Sequence, residues 1–313
     1  MNKMKKIGLT ALATSLVASS AYAGELSVSG SASLNYSGVS TSSDANPWTM
    51  SNSVNFSGGG DLDNGMTVSV AWELDGNIMD DYSMKLGLGD GLGTVTFSGN
   101  SVNAGGVDTV KDIVPTAYTP VYELANETAG ETDNGLATTS TRSTVGMWGY
   151  ANSFGSLDFS LGYNPKPATA AKAEASIGAT YNDLFVEGLS VSAGRMDDGD
   201  VAENDTYGLK YTVGAVSAAY QKTKVDYEAT GTNDQDATHY GISFAVNENL
   251  SLSAGRQSVD IDTTATEEVN TGISASYTMG SITLSGAMNK VEDANGTQGA
   301  DAEATALNIS FAF

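Results

Sequence analysis

The sequence holds a single histidine, His239, and no cysteine. A serine-type hydrolase needs a histidine held between a nucleophile and a carboxylate. Hydroxyls are scattered along the whole chain, and nothing in the sequence gathers such a set around His239. Two acidic stretches, "DLDNG" (Asp61 to Gly65) and "MDDGD" (Met196 to Asp200), have a calcium-like composition. Neither has the D-x-D-x-D-G spacing with a distant glutamate that a calcium loop uses. They read as solvated turns, and no metal or cofactor is expected. What remains is electrostatic. The stretch from about 100 to 141 carries Asp108, Asp112, Glu123 and Glu127 among apolar and aromatic anchors such as Val107, Ile113, Val114 and Tyr118. Structureless connections of that length are uncommon unless functional or disordered.

These acids need elements to hold them, and the chain supplies one kind. From Gly24 onward apolar and polar residues alternate with a period of two, the pattern of strands with one apolar and one polar face. "MTVSVAWEL" sets Met66, Val68, Val70, Trp72 and Leu74 against Thr67, Ser69, Ala71 and Glu73. "ALNISFAF" alternates Leu307, Ile309, Phe311 and Phe313 against Asn308, Ser310 and Ala312. About sixteen such runs follow one another. They fall near 25–37, 48–59, 66–75, 82–89, 93–99, 142–151, 157–163 and 174–182 in the first half. In the second they fall near 188–195, 205–213, 215–226, 237–246, 250–261, 269–279, 282–291 and 302–313. An even number of antiparallel strands is what a closed bacterial outer-membrane barrel requires.

The connections alternate in length. Long ones fall near 38–47, 76–81, 100–141, 164–173, 196–204, 227–236, 262–268 and 292–301, with tight turns such as "NSFGS", "VGA", "NEN" and "MGS" between them. Short turns on one side and long loops on the other are the signature of a transmembrane barrel. All five prolines lie in long connections, where no ladder donor is lost. The polar face is built mostly of Ser, Thr, Asn and Gly, which suits a water-filled interior. The apolar face carries aromatics near both ends, among them Tyr36, Trp48, Trp72, Tyr163, Tyr207 and Tyr240, with Tyr181 and Tyr277 beside short turns. Rings at two levels are what two membrane interfaces select. The apolar parity, with Ala193 and Leu252, is therefore expected to face lipid, and Ser192 and Ser253 the lumen.

At the other end Lys3, Lys5 and Lys6 precede an apolar run too short to span a bilayer, then Ala21-Tyr22-Ala23. This is the pattern of a signal peptide over residues 1–23, leaving 24–313 as the barrel. A formal charge of −23, carried largely by that barrel, argues against nucleic acid as a partner.

The segments "GELSVSG", "GDLDNGMTVSVAWELD", "GLGTVTFSGN", "NSFGSLDFSLGYN" and "NISFAF" together resemble the Gram-negative general porins, especially the alphaproteobacterial type. The resemblance covers the whole barrel region as an architecture more than as a run of identities. It implies an all-β transmembrane antiparallel barrel of about 16 strands, trimeric, with a long third loop folded into the lumen. In such a protein Asp108, Asp112 and Glu123 would form the acidic side of a constriction. Lys85 and Lys210, on the lumen face by strand parity, and Arg142 at the loop boundary would be its basic side. The cluster of wall arginines found in the family has no counterpart here, so an anion preference is not implied. Phe311 and Phe313 would be the address read by the outer-membrane assembly machinery. Arg195, Lys222, Lys224 and Arg256 fall on the outward parity near the long loops, where lipopolysaccharide or solvated rim surrounds them. The expected function is a water-filled, cation-preferring channel for passive diffusion of small hydrophilic solutes and ions, not an enzyme, in the outer membrane. An outer-membrane barrel phospholipase or protease and a secreted β-rich adhesin are the other classes the pattern admits. The single histidine disfavours the first and the rim aromatics the second.

Overall fold

The computed structural model describes residues 26–40, 46–76, 78–99, 105–118, 146–165, 172–197, 199, 202–228 and 231–313. Sixteen strands run through these residues. The first eight are β1 (Ser27–Val39), β2 (Trp48–Asp61), β3 (Thr67–Asp75), β4 (Ile78–Gly87), β5 (Thr94–Gly99), β6 (Met147–Phe154), β7 (Leu157–Asn164) and β8 (Glu174–Tyr181). The second eight are β9 (Leu189–Asp197), β10 (Ala202–Val213), β11 (Val216–Tyr227), β12 (Gln235–Ala245), β13 (Leu250–Ile261), β14 (Glu268–Met279), β15 (Ile282–Glu292) and β16 (Ala302–Ala312). Each pairs antiparallel with its sequence neighbours, and β1 pairs with β16, so the sheet closes. Closure leaves no strand edge unpaired, which is the condition for placing a sheet in hydrocarbon.

The joint is held by the end of the sequence. Phe313 N–H donates to Gly30 O at 2.9 Å, and Gly30 N–H donates to Phe313 O at 2.7 Å. A Cβ on Gly30 would overlap the Phe313 ring, so the glycine leaves the ring room to lie across β1. Tight turns close the opposite pairs. Gly214 and Gly280, at φ 55° and 63° in two-residue turns, have open space around them and are there for the left-handed backbone.

Burial is inverted relative to a soluble protein. Leu252, Ile242, Phe244, Tyr207, Tyr240 and Tyr277 stand exposed on the outside, whereas Gln221, Thr223, Gln257 and Asn270 on the opposite parity are almost fully buried. Ser192 is buried on the inside and Ala193 exposed on the outside, as the alternation predicts.

One boundary differs. The stretch 76–81 reads as a long connection in sequence, yet β4 begins at Ile78, leaving only residues 76–77 between β3 and β4. The register shifts between Trp72 and Leu74, a bulge that puts consecutive residues out of phase and hides the strand from a period-two reading. Of the strand expected at 142–151, the described part begins with Gly146, so Arg142 lies outside the described residues, as does Glu123.

Candidate functional site

The connection between β5 and β6 enters the barrel. Its described part, residues 105–118, runs along the inner wall from β7 to β16. Gly106 N–H donates to Ser160 Oγ on β7 at 2.8 Å. A short 3-10 turn, Gly106–Thr109, follows, closed by Thr109 Oγ1 donating to Gly106 O at 2.8 Å. Val107 and Val110 are buried against Met196 of β9. Ile113 N–H donates to Gln221 Oε1 on β11 at 3.3 Å, and Gln221 Nε2 donates to Lys111 O. Ala117 N–H then reaches Ser253 Oγ on β13 at 2.9 Å, and Tyr118 N–H reaches Ser274 Oγ on β14 at 3.2 Å. The Tyr118 ring packs with Val39 on Ala287, Ala304 and Ala306 of β15 and β16. Loop backbone donors thus find partners on one wall strand after another, as a polar chain inside a barrel must.

What lets the loop lie so close is a row of wall glycines. Gly178, Gly194, Gly208 and Gly241 are mid-strand and on the lumen parity, and none has a positive φ. A Cβ at Gly194 would stand 2.6 Å from Val110 Cγ2, and one at Gly241 would stand 2.7 Å from Val114 Cγ1. One at Gly208 would overlap Ile113 Cδ1, and one at Gly178 the carbonyl of Gly106. Sequence reasoning passes over this seat. Its trace is glycine in the middle of several strands, at a cost to strand stability, always on the same face.

The structure brings some expected site residues together and leaves others apart. Asp108 and Asp112 are neighbours on the loop, but both face Lys111, whose Nζ lies 3.2 Å and 3.7 Å from their carboxylates. Lys111 does not figure in the sequence reading, although its i+3 spacing from Asp108 was there to read. Lys85 lies on the lumen parity of β4, paired with Thr96 and Ser69 across the sheet. Lys210 lies on the lumen parity of β10, two residues beyond Gly208. Neither lysine makes an ion pair with a described residue. His239 is buried on the lumen face, opposite Gln221 and Gln257 on its neighbouring strands.

Elsewhere the inner wall is neutral and hydroxylated or acidic. On β1 and β2 it is a ladder of serines and asparagines, with Ser31 to Ser53 at 3.0 Å and Ser33 to Ser51 at 2.6 Å. Glu73 and Asp75 of β3, Asp158 of β7, and the buried Glu174 and Glu268 share the lumen parity. Glu268 accepts from Asn270 Nδ2 at 2.6 Å and from Asn295 N–H at 2.8 Å. Such a wall can hydrate ions and polar solutes, and the loop narrows the space they share.

A closed sixteen-stranded barrel with a polar lumen and an infolded loop defines a membrane channel of the porin class. The Gram-negative porin family profile matches residues 8–313, and the chain belongs to that family. It is an outer-membrane porin channel. Similar solved structures include a loop-deletion variant of an outer-membrane protein of Vibrio cholerae, at TM-score 0.68 and 14% identity, covering 93% of this chain and 99% of that one. The anion-selective porin of Comamonas acidovorans gives 0.66 and 16%, covering 93% and 100%. An engineered variant of the Rhodopseudomonas blastica porin gives 0.63 and 15%, covering 92% and 100%. At these identities the likeness is one of fold. No curated protein matches this chain.

Proposed function

We propose that this porin is a cation-preferring channel for passive diffusion of small hydrophilic solutes and ions. The observation that carries the reading is the infolded segment 105–118, held to the lumen wall by Ser160, Gln221, Ser253 and Ser274. It narrows a lumen whose remaining wall offers hydroxyls and amides. The cation preference rests on the balance of lumen charge. Glu73, Asp75, Asp158, Glu174 and Glu268 face inward against Lys85 and Lys210, and the loop adds Asp108 and Asp112 against Lys111. Charge in a narrow, low-dielectric passage selects ions more strongly than charge at the mouth. The Comamonas neighbour is described as anion-selective, but at that identity selectivity has to be read from this chain's own lumen. Glu123 and Arg142 complete the proposed constriction set.

The reading includes a homotrimer, export of residues 24–313 after loss of a 1–23 leader, and recognition of Phe311 and Phe313 by the barrel assembly machinery. Family and fold favour a channel over an enzyme. Planar-bilayer recording decides the functional claim. Purified protein is expected to give stepwise conductance and, in a KCl gradient, a reversal potential of cationic sign. An anionic reversal potential overturns the preference, and absence of steps overturns the diffusion reading.

A further inference from the structure

On the short-turn side of the infolded loop the lumen wall holds a cavity of about 670 Å³. Two rows of inward-facing residues make its wall. Nearest the turns, Ser153, Asp158 and Thr180 lie side by side across β6, β7 and β8. One lumen position deeper, Thr94 of β5 and Ser160 of β7 flank Ala151 of β6. The loop supplies the roof. Its Thr109 lies over Gly178, where a Cβ would stand 2.8 Å from Thr109 Oγ1, and Ser160 accepts the anchoring bond from Gly106 N–H. The rim is the β4–β5 turn, in which Asp90 and Gly91 are both left-handed, at φ 48° and 72°. An Asp-Gly pair favours this hairpin geometry. Residues of β6 brace it, Tyr150 O–H donating to Leu92 O at 2.8 Å and Asn152 Nδ2 to Gly91 O at 3.0 Å.

The lining carries charge of one sign. Asp158 and Asp90 supply it, and among the described residues no lysine or arginine joins them. Lys85 stands opposite Thr96, one lumen position beyond Thr94 and outside the lining. The Asp158 carboxylate is fixed from both sides. Ser153 Oγ donates to its Oδ1 at 2.5 Å, and Asn182 Nδ2 donates to its Oδ2 at 2.6 Å. A carboxylate offers about four lone-pair sites, so each oxygen keeps room for one more donor. Around it stand the hydroxyls of Thr94, Ser160 and Thr180, which can both donate and accept. An anion would meet two carboxylates and no cation. An alkyl ammonium would satisfy Asp158 but displace water from the hydroxyls without replacing its bonds, which is costly. Resting on the channel reading, we infer that this cavity is a subsite for hydroxylated primary amines of the amino-sugar type. The ammonium sits on Asp158, and the solute hydroxyls face Thr94, Ser160 and Thr180. Because the loop is its roof, a bound solute lies at the exit of the narrowed passage.

The test is a ligand-observed NMR titration of the detergent-solubilised protein at low salt, at about pH 6, where an amine of the α-amino type is protonated. The probes are D-glucosamine, N-acetyl-D-glucosamine and ethanolamine. Wild type is expected to bind glucosamine at least about tenfold more tightly than the N-acetyl form, whose ring is the same but whose nitrogen is an uncharged amide. Charge-assisted hydrogen bonds are about twice as strong as neutral ones. Ethanolamine, with the amine but a single hydroxyl, should bind about fivefold more weakly than glucosamine, the worth of about one net hydrogen bond. Asp158→Asn keeps the shape and should erase the preference for glucosamine over its N-acetyl form. Glu73→Gln removes a lumen carboxylate outside the cavity and should keep it. Equal binding of glucosamine and N-acetylglucosamine by wild type overturns the proposal without any variant having to fold. Ethanolamine binding as tightly as glucosamine overturns the amino-sugar class. A preference that survives Asp158→Asn, or that Glu73→Gln also erases, places binding elsewhere in the lumen and overturns the site. Failure of wild type to conduct in a bilayer would instead count against the channel reading and leave the binding result standing.

Discussion

Gly208→Val tests whether the glycine seat sets the width of the channel. At Gly208 the atoms a Cβ would crowd belong to the Ile113 side chain, while the nearest other atom, Tyr220 O, is at an ordinary 3.6 Å. The added side chain therefore pushes on the loop and not on the sheet. The size of the push can be read at the neighbouring seat, where a Cβ on Gly241 would stand 2.7 Å from Val114. Carbon atoms settle at roughly 3.5–4.0 Å, so the loop has to withdraw by about 1 Å. With the wall on one side, the only direction open is into the lumen. Overpacking of this kind costs about 1–3 kcal/mol. The loop is held by hydrogen bonds to Ser160, Gln221, Ser253 and Ser274, each worth about 1 kcal/mol. The strain is smaller than the sum of these anchors, so the loop should shift locally and stay attached. Single-channel recording of Gly208→Val and Gly241→Val should show conductance lower by tens of per cent, with the outward Leu209→Val as control. If both variants fold as barrels and conduct as wild type does, the glycines do not set the aperture.

Three further outcomes are expected. Deleting Phe313 removes the two backbone hydrogen bonds to Gly30, about 2 kcal/mol at the joint, together with the proposed assembly address; the amount of heat-modifiable barrel in outer-membrane fractions should fall, and normal levels would refute this. Leu252→Arg on the outside should destabilise the folded barrel by about 2–4 kcal/mol near mid-membrane, against little for Ser31→Arg in the lumen, where water can solvate the charge; equal unfolding midpoints in lipid would mean the faces are inverted. Ser253 is a poor lumen comparator, because its hydroxyl accepts from Ala117 N–H and arginine there would unseat the loop. Removing loop acids together (Asp108→Asn, Asp112→Asn, Glu123→Gln) should leave Lys111 uncompensated and move the reversal potential toward anions, less so as salt rises; an unmoved potential would remove these acids from the constriction.

Much of the architecture was legible because a strand writes its two faces into alternate residues. The period carries from Leu26 to Phe313, so strand number, closure and the outward face of Leu252 follow from it. It fails where the chain breaks phase. At Trp72–Leu74 the bulge shifts the register, and "NIMDDYS" no longer alternates, so the start of β4 reads as loop. A loop has no period at all. That Asp108 and Asp112 share the infolded segment was readable, but that Lys111 turns toward both was a matter of conformation.

The wall glycines fail for a different reason. A small residue on a lumen-facing position reads as polar filler, indistinguishable from the serines of β1 and β2, because both leave room. What distinguishes them is what occupies the room. Beside Ser31 and Ser53 the side chains bond to each other across the strands. Over Gly194, Gly208 and Gly241 the room is filled by Val110, Ile113 and Val114 of the loop. The loop therefore buries its apolar side chains against bare backbone and leaves polar ones to the passage. This is the reverse of the outer face, where the bulk is on the wall and the solvent is lipid. Two solvents and one inserted segment thus divide the small residues of this sequence into two kinds. Only the second kind, glycine under a branched apolar side chain, ties the barrel wall to the width of the channel.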